Sequence, residues 1–276
     1  MAASQAGKGR EVEVAEKVIV VTNVWSGPGL AAAILLSRRG FKVFGAVAEY
    51  VSTTEELPFT QIQLKRGDTE AVRDSIATLL SVAGCVDVLV NISETYTIGA
   101  LEELSEEQTN RHFADSFFDV LRLTYAVIPF MRARGMGRVV NIVSPFGTSP
   151  APFMGMYAAS HAALESWSQS LNTELEGTGV QVTAVMRGLI RRVDNEIRLP
   201  ERPLRRYDQG TAKTLAALAS DSDRWIGDEM LAEHIERAIT DRKPRTIYRT
   251  GFELRMFSTA LRLAPRLLQF LFKQRT

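Results

Sequence analysis

The sequence predicts a single α/β domain built on a doubly wound parallel sheet, and three observations carry that expectation. Short β-branched and apolar runs recur at residues 17–22, 41–48, 60–64, 86–91, 138–143 and 180–186. Runs such as 86–91 are apolar without alternation, as strands buried on both faces of a parallel sheet are. Stretches of helical pattern separate the runs, giving the crossovers that parallel strands require. Finally, 276 residues that are 45% hydrophobic and 24% charged suffice for one sizeable core, with no repeat or linker along the way.

Taken in order, residues 1–16 are polar and charged and read as a loose tail. The strand at 17–22 leads into a glycine turn and a helical pattern from Leu30 to Arg39, closed by Gly40 at the usual helix-ending position. Strands at 41–48 and 60–64 follow, and Asp68 is suited to cap a helix reaching about Ala83. After the strand at 86–91 come two helices, one from about Ser105 and one ending near Arg134, where Gly135 and Gly137 break the pattern. Next are the strand ending at Ser144, a Pro/Gly-rich loop, a helix through Tyr157 and the strand 180–186. Residues 187–208 are arginine-rich and read as a lid; helices near 209–220 and 228–240 and a short strand at 246–248 complete residues 17–250. The last stretch, 251–276, is amphipathic and interrupted by Pro265, suited to packing on protein or lying on a membrane surface.

Composition narrows the function. A net charge of +1 gives no general attraction to nucleic acid. Cys85, the only cysteine, excludes disulfides and cysteine-based metal sites, and reads as a buried apolar filler. His112, His161 and His234 have no ligand spacing, so no metal is expected. The first residues lack the apolar core of a signal peptide, and no stretch reaches the ~18 apolar residues of a membrane span. The expectation is a cytoplasmic protein.

Chemistry concentrates at Tyr157-Ala158-Ala159-Ser160-His161, where a phenol and an imidazole four residues apart share one helix face. Ser144, thirteen residues upstream of Tyr157, ends a strand and delivers a hydroxyl toward that helix. Together with the Gly27-Pro28-Gly29 turn and the run Val86-Asp87-Val88-Leu89-Val90-Asn91, this spacing resembles the short-chain dehydrogenases/reductases over nearly the whole chain. The resemblance implies a Rossmann-type fold, with Ser144 holding a substrate oxygen and Tyr157 exchanging a proton with it. The family's lysine, four residues after the tyrosine, is here His161, and its relay asparagine aligns with Ser116.

On the same resemblance, Thr22, Gly27, Gly29 and Asn91 are the residues left to hold NAD(P)(H). Asn23 replaces the first glycine of the turn, Trp25 stands near the adenosine end, and only Glu49 is available to read a ribose. Glu94 falls where an anionic cofactor would lie, and Arg187 replaces the proline that walls the nicotinamide. Most altered positions serve the nucleotide, whereas the hydroxyl pair serving the substrate is kept. The expected cofactor is therefore none, or NAD(P)(H) weakly bound. Halohydrin dehalogenases, which run the same fold without a nucleotide, are similar at Thr22-Asn23-Val24 and Ser144-Pro145-Phe146-Gly147.

A phenol titrates near 10 and needs a nearby cation to act as a base at neutral pH. A histidine near 6.5 is mostly neutral there and better suited to acid/base work of its own. The loop 146–156, with Phe146, Phe153, Met154 and Met156, favours an apolar substrate or simply packs beneath itself. Arg187, Arg191, Arg192, Arg198, Arg202, Arg205 and Arg206 are suited to a carboxylate or thioester carrier, or form a solvated loop. Glu102, Glu103, Glu106 and Glu107 read as a solvated helix start.

Three functions fit. The first is a non-redox enzyme on an apolar oxygenated small molecule, catalysing cyclisation, dehydration or isomerisation through Tyr157, His161 and Ser144. The second is an NAD(P)H-dependent carbonyl reductase or alcohol dehydrogenase. The third is an inert subunit paired with an active paralogue; a homo-oligomer suits the other two.

Overall fold

The computed structural model describes residues 17–25, 27–50, 56–93, 95–187, 197–220 and 227–250. The loose tail at 1–16, Glu94, Arg191, Arg192 and the amphipathic stretch 251–276 lie outside the described residues.

Seven strands form one parallel sheet: β1 (Val18–Thr22), β2 (Lys42–Val47), β3 (Thr60–Gln63), β4 (Val88–Asn91), β6 (Gly137–Val143), β7 (Val180–Met186) and β9 (Ile247–Arg249). They run in the spatial order β3-β2-β1-β4-β6-β7-β9, with every neighbour parallel. The order reverses between β1 and β4, which opens a crevice at their carboxyl ends where such sheets bind ligands. A second, two-stranded sheet pairs β5 (Tyr96–Thr97) with β8 (Ile197–Arg198) and was not anticipated, because two-residue strands leave no periodic signal.

Alternation along each strand divides the core. Ile19 and Val21 of β1 join Val43, Val88 and Val90 under α1 (Gly27–Arg38) and α7 (Asp228–Thr240). Val18 and Val20 join Phe44 and Leu89 on the opposite face, under α2 (Thr69–Ala83), α4 (Asp119–Ala133) and α5 (Gly155–Glu174). Each such fully buried side chain contributes about 1.5–3 kcal/mol. The remaining helices are α3 (Glu106–Phe113) and α6 (Asp208–Ser220).

Capping follows the sequence closely. The Asp68 carboxylate accepts from the amides of Glu70 and Ala71, starting α2, and Gly84, at φ 81°, stops it. Arg138 donates to the carbonyls of Ala238 and Ile239, at 2.7 and 2.6 Å, and so closes the end of α7.

Two expectations need correction. Helices α3 and α4 are continuous through a π-helical segment, Ala114–Phe118, in which the Asp119 amide reaches back to the Ala114 carbonyl. Cys85 is half-buried rather than a core filler: its thiol lies 3.7 Å from the Asp87 carboxylate, and burial followed by that charge raises its pKa. Among the described residues, no helix is long and apolar enough to cross a membrane.

Candidate active site

The crevice at the carboxyl ends of β1 and β4 is closed by a turn whose backbone is strained by design. Asn23 adopts φ 56° and Gly27 φ 55°, left-handed conformations that asparagine and glycine tolerate best. The Asn23 amide nitrogen donates to the Ile92 carbonyl at 2.5 Å, and its oxygen accepts from Arg66. Asn23 thus spends its side chain on joining β1 to β4. Thr22 does the same: its hydroxyl accepts from the Ile92 amide at 2.8 Å and donates to the Ile92 carbonyl at 3.2 Å. Behind the turn, Gly29 allows α1 to press against it. Trp25, half-exposed at 49%, stands at the rim.

Asn91 is drawn into the sheet rather than the crevice. Its amide donates to Asn141 at 2.9 Å and Thr124 at 3.2 Å, and Asn141 passes the chain to Ser168 of α5 at 2.9 Å. Thr22, Gly27, Gly29 and Asn91 therefore all lie at the expected edge, and each has a visible role in holding that edge together.

Helix α5 places Tyr157 and His161 on one face, with ring centroids 4.3 Å apart, and both are almost wholly buried. Ser144 directly follows β6 and caps the short turn Pro145–Gly147 by accepting from the Phe146 amide at 3.3 Å. That turn sits tightly on α5. A methyl group on Gly147 would come within 2.8 Å of the Ala162 nitrogen and 3.0 Å of the His161 carbonyl carbon. Ser116 lies in the π segment, where its hydroxyl donates to the His112 carbonyl at 2.5 Å and so serves the helix rather than a relay.

His161 is not the neutral-pH acid/base group that its type suggests. Burial, then the charge of Arg187 and the coupling to His112 when both rings would be protonated, push its pKa down to about 3, so the ring is neutral throughout the physiological range. Its Nδ1 is buried without a hydrogen-bond partner.

The permanent charge comes instead from Arg187, directly after β7. Although 2% exposed, its side chain runs inward to donate to the Tyr96 hydroxyl at 2.5 Å and to reach the Tyr157 hydroxyl at 3.4 Å. Tyr96, from β5, stacks on Tyr157 with centroids 4.8 Å apart and planes 11° from parallel, while Phe146 meets Tyr157 edge-on. Met154 and Ile98, with Leu215 and Leu218 of α6, complete an apolar shell around the phenol. The loop residues Phe146 and Met154 are thus packed on the site itself, while Phe153 turns away onto α6 at Gly210.

Tyr96 is the residue that sequence reasoning missed, and the contact of Arg187 with the phenol was not foreseen although the residue itself stood out as the replacement of a proline. A cation immediately after a buried strand, at its carboxyl end, is the signal that marked Arg187; nothing local marked Tyr96. Of the other described arginines in residues 187–208, Arg198 pairs with Asp115 at 2.7 Å and Arg206 with Glu102. The acidic run is correspondingly not a plain solvated helix start, since the buried Glu103 carboxylate accepts from the amides of Ala100 and Leu204, at 2.8 and 2.7 Å.

These contacts decide how far a dinucleotide fits. At the glycine turn Asn23 and Gly27 hold positive φ, and the Asn23 side chain is folded away into the sheet. At the other end, the side chain that replaces the nicotinamide-walling proline crosses from the wall to the phenol. The guanidinium fills the space beside the Tyr157 hydroxyl, 3.4 Å from it.

Comparison with known proteins places these features in a lineage. The pattern of the family described as short chain dehydrogenase matches residues 17–202. An uncharacterized oxidoreductase of Escherichia coli, YbbO, is 27% identical over 240 residues, 86% of each chain. A 3-ketodihydrosphingosine reductase of Bacteroides thetaiotaomicron is 30% identical over 172 residues, 62% of this chain and 63% of that one. A crystal structure of a short-chain dehydrogenase from Streptomyces avermitilis superposes with a TM-score of 0.80 at 28% identity, covering 99% of this chain and 98% of that one.

Proposed function

The chain belongs to the short chain dehydrogenase family, and from that premise we propose that it is an enzyme which moves protons rather than hydride, on an apolar, oxygen-bearing small molecule. The observation that carries this reading is the Arg187 guanidinium, buried and 3.4 Å from the Tyr157 hydroxyl. Tyr157 is the acid, and Arg187 balances the negative charge left on the phenol oxygen when its proton goes to the substrate. Ser144, whose own proton is not spent in its bond from Phe146, steadies the same substrate oxygen. His161, held neutral, is an acceptor beside the phenol and not a store of charge.

Intramolecular addition suits this set. The substrate carbonyl oxygen takes the Tyr157 proton as an internal hydroxyl closes on the carbonyl carbon, and the proton lost by that hydroxyl returns to the phenol oxygen. The step is redox-neutral and regenerates Tyr157. The apolar shell of Tyr96, Ile98, Met154 and Phe146 favours a hydrocarbon-rich substrate.

A nicotinamide-dependent reductase is favoured by the retained glycine turn and by relatives named as oxidoreductases, and it requires Arg187 to leave Tyr157. Titration with NADH and NADPH, followed by nucleotide fluorescence, separates the two. Wild type is expected to show no saturable binding, and Arg187→Ala to gain it. Alanine is the substitution of choice because the Arg187 amide donates to the Val143 carbonyl at 3.0 Å, a bond proline would remove. Saturable binding to wild type with hydride transfer to a carbonyl would overturn the proposal.

A further inference from the structure

His112 is the most completely buried polar side chain near the reactive phenol, and none of the chemistry above uses it. Its Nδ1 lies 3.0 Å from the Thr97 hydroxyl and its Nε2 lies 3.1 Å from the Ser160 hydroxyl. Ser160 in turn donates to the Tyr157 carbonyl at 3.1 Å. Because a hydroxyl has one proton, Ser160 must accept from His112, which puts the imidazole proton on Nε2. Nδ1 then accepts from Thr97, so all three bonds are satisfied together by one tautomer. Burial, with the neighbouring Arg198 charge, keeps that ring neutral by lowering its pKa to about 4, against the opposing pull of Asp115.

The two ends of this chain of bonds are informative. Thr97 follows Tyr96 in β5, and Ser160 stands one helical turn after Tyr157 in α5. A two-residue strand paired only with β8 among the described strands has few backbone bonds to fix its place, so side-chain contacts must do so. His112 is packed against Phe113 with ring centroids 6.3 Å apart, which limits its own freedom.

We infer that His112 is a positioning residue: a two-sided hydrogen-bonding spacer that sets the distance from the Tyr96 strand to the Tyr157 helix, and with it the stack on which Arg187 closes. Its importance for turnover rests on the reading of Tyr157 as the acid; its geometric role does not.

The test is fluorine NMR of protein in which all six tyrosines carry 3-fluorotyrosine, with the Tyr96 and Tyr157 signals assigned through Tyr96→Phe and Tyr157→Phe. In His112→Leu both signals are expected to move by more than a linewidth, and in His112→Gln, which can donate and accept, to move back toward wild type. The near-isosteric Thr97→Val, which keeps the fold if the leucine variant does not, is expected to shift both signals as well. Combining Thr97→Val with His112→Leu should add nothing to the leucine effect. A purely structural role would lower the melting temperature while leaving both signals of the folded protein in place, and that result, or a Thr97→Val effect confined to Tyr96, would overturn the inference. Neither outcome bears on the nucleotide titration, so the two readings fail separately.

Discussion

Acidification from pH 6.5 to pH 4.5 is expected to remove about 5 kcal/mol of folding stability, because two histidines must take up protons that the fold refuses. In the unfolded chain both titrate near 6.5. In the fold, burial is the main cause that lowers His161 to about 3 and His112 to about 4. A depressed histidine pKa means that the unfolded state binds the proton first. Stability is therefore fully present above pH 6.5 and is lost as the pH falls toward the folded values. Each group contributes a slope of about 1.4 kcal/mol per pH unit, so the pair removes a large part of the 5–15 kcal/mol typical of a domain. Carboxylates titrate mainly below pH 5, and the upper half of the window belongs to the histidines. Urea denaturation across this range measures the slope, and His112→Gln combined with His161→Gln should flatten it. An equal slope in that double variant would show that the histidines are not its source.

Gly29→Ala is expected to cost about 3 kcal/mol or more, at or above the upper end of ordinary overpacking in a core. An added methyl carbon would sit 1.9 Å from the Asn23 oxygen, 2.6 Å from the Asn23 carbonyl carbon and 2.9 Å from the Thr22 oxygen. All three are main-chain atoms, so no rotamer relieves the clash. The turn must open, which pulls Val24 from the core and breaks the bond from Asn23 to Ile92. Gly40→Ala is the useful contrast: at φ +89° with nothing near it, that residue carries only the left-handed penalty of about 1–2 kcal/mol. The difference in denaturation midpoint between the two variants checks the claim, and near-equal midpoints would refute it.

Most of the architecture was legible in the residues because strand and helix signals here are local. Val180–Met186 and Asp228–Thr240 fall where their local patterns place them, and Asp68 caps the helix it was expected to cap. The site was legible only in part. Tyr157 and His161 are brought together by helical spacing alone, so that pairing could be read directly. The protonation of His161 could not, since it depends on burial and on an arginine 26 positions away that no spacing rule connects to it. Arg187 read as the loss of a proline; its long side chain turns inward because β5 offers it a phenol, and β5 is too short to announce itself. Ser116 likewise read as a lost asparagine, whereas the π segment gives its hydroxyl a carbonyl to bind.

The position of β1 inside the sheet, between β2 and β4, has a consequence for biosynthesis. Its neighbour β4 lies some seventy residues downstream, and α1 shares its hydrophobic cluster with Leu231, Ile235 and Ile239 of α7. As the polypeptide leaves the ribosome, the face of the first helix stays open until residues 228–240 have followed. Long-range pairing of this kind makes folding slow and leaves apolar surface open to aggregation in the interval. The nascent molecule's period of greatest vulnerability thus ends only with the delivery of α7.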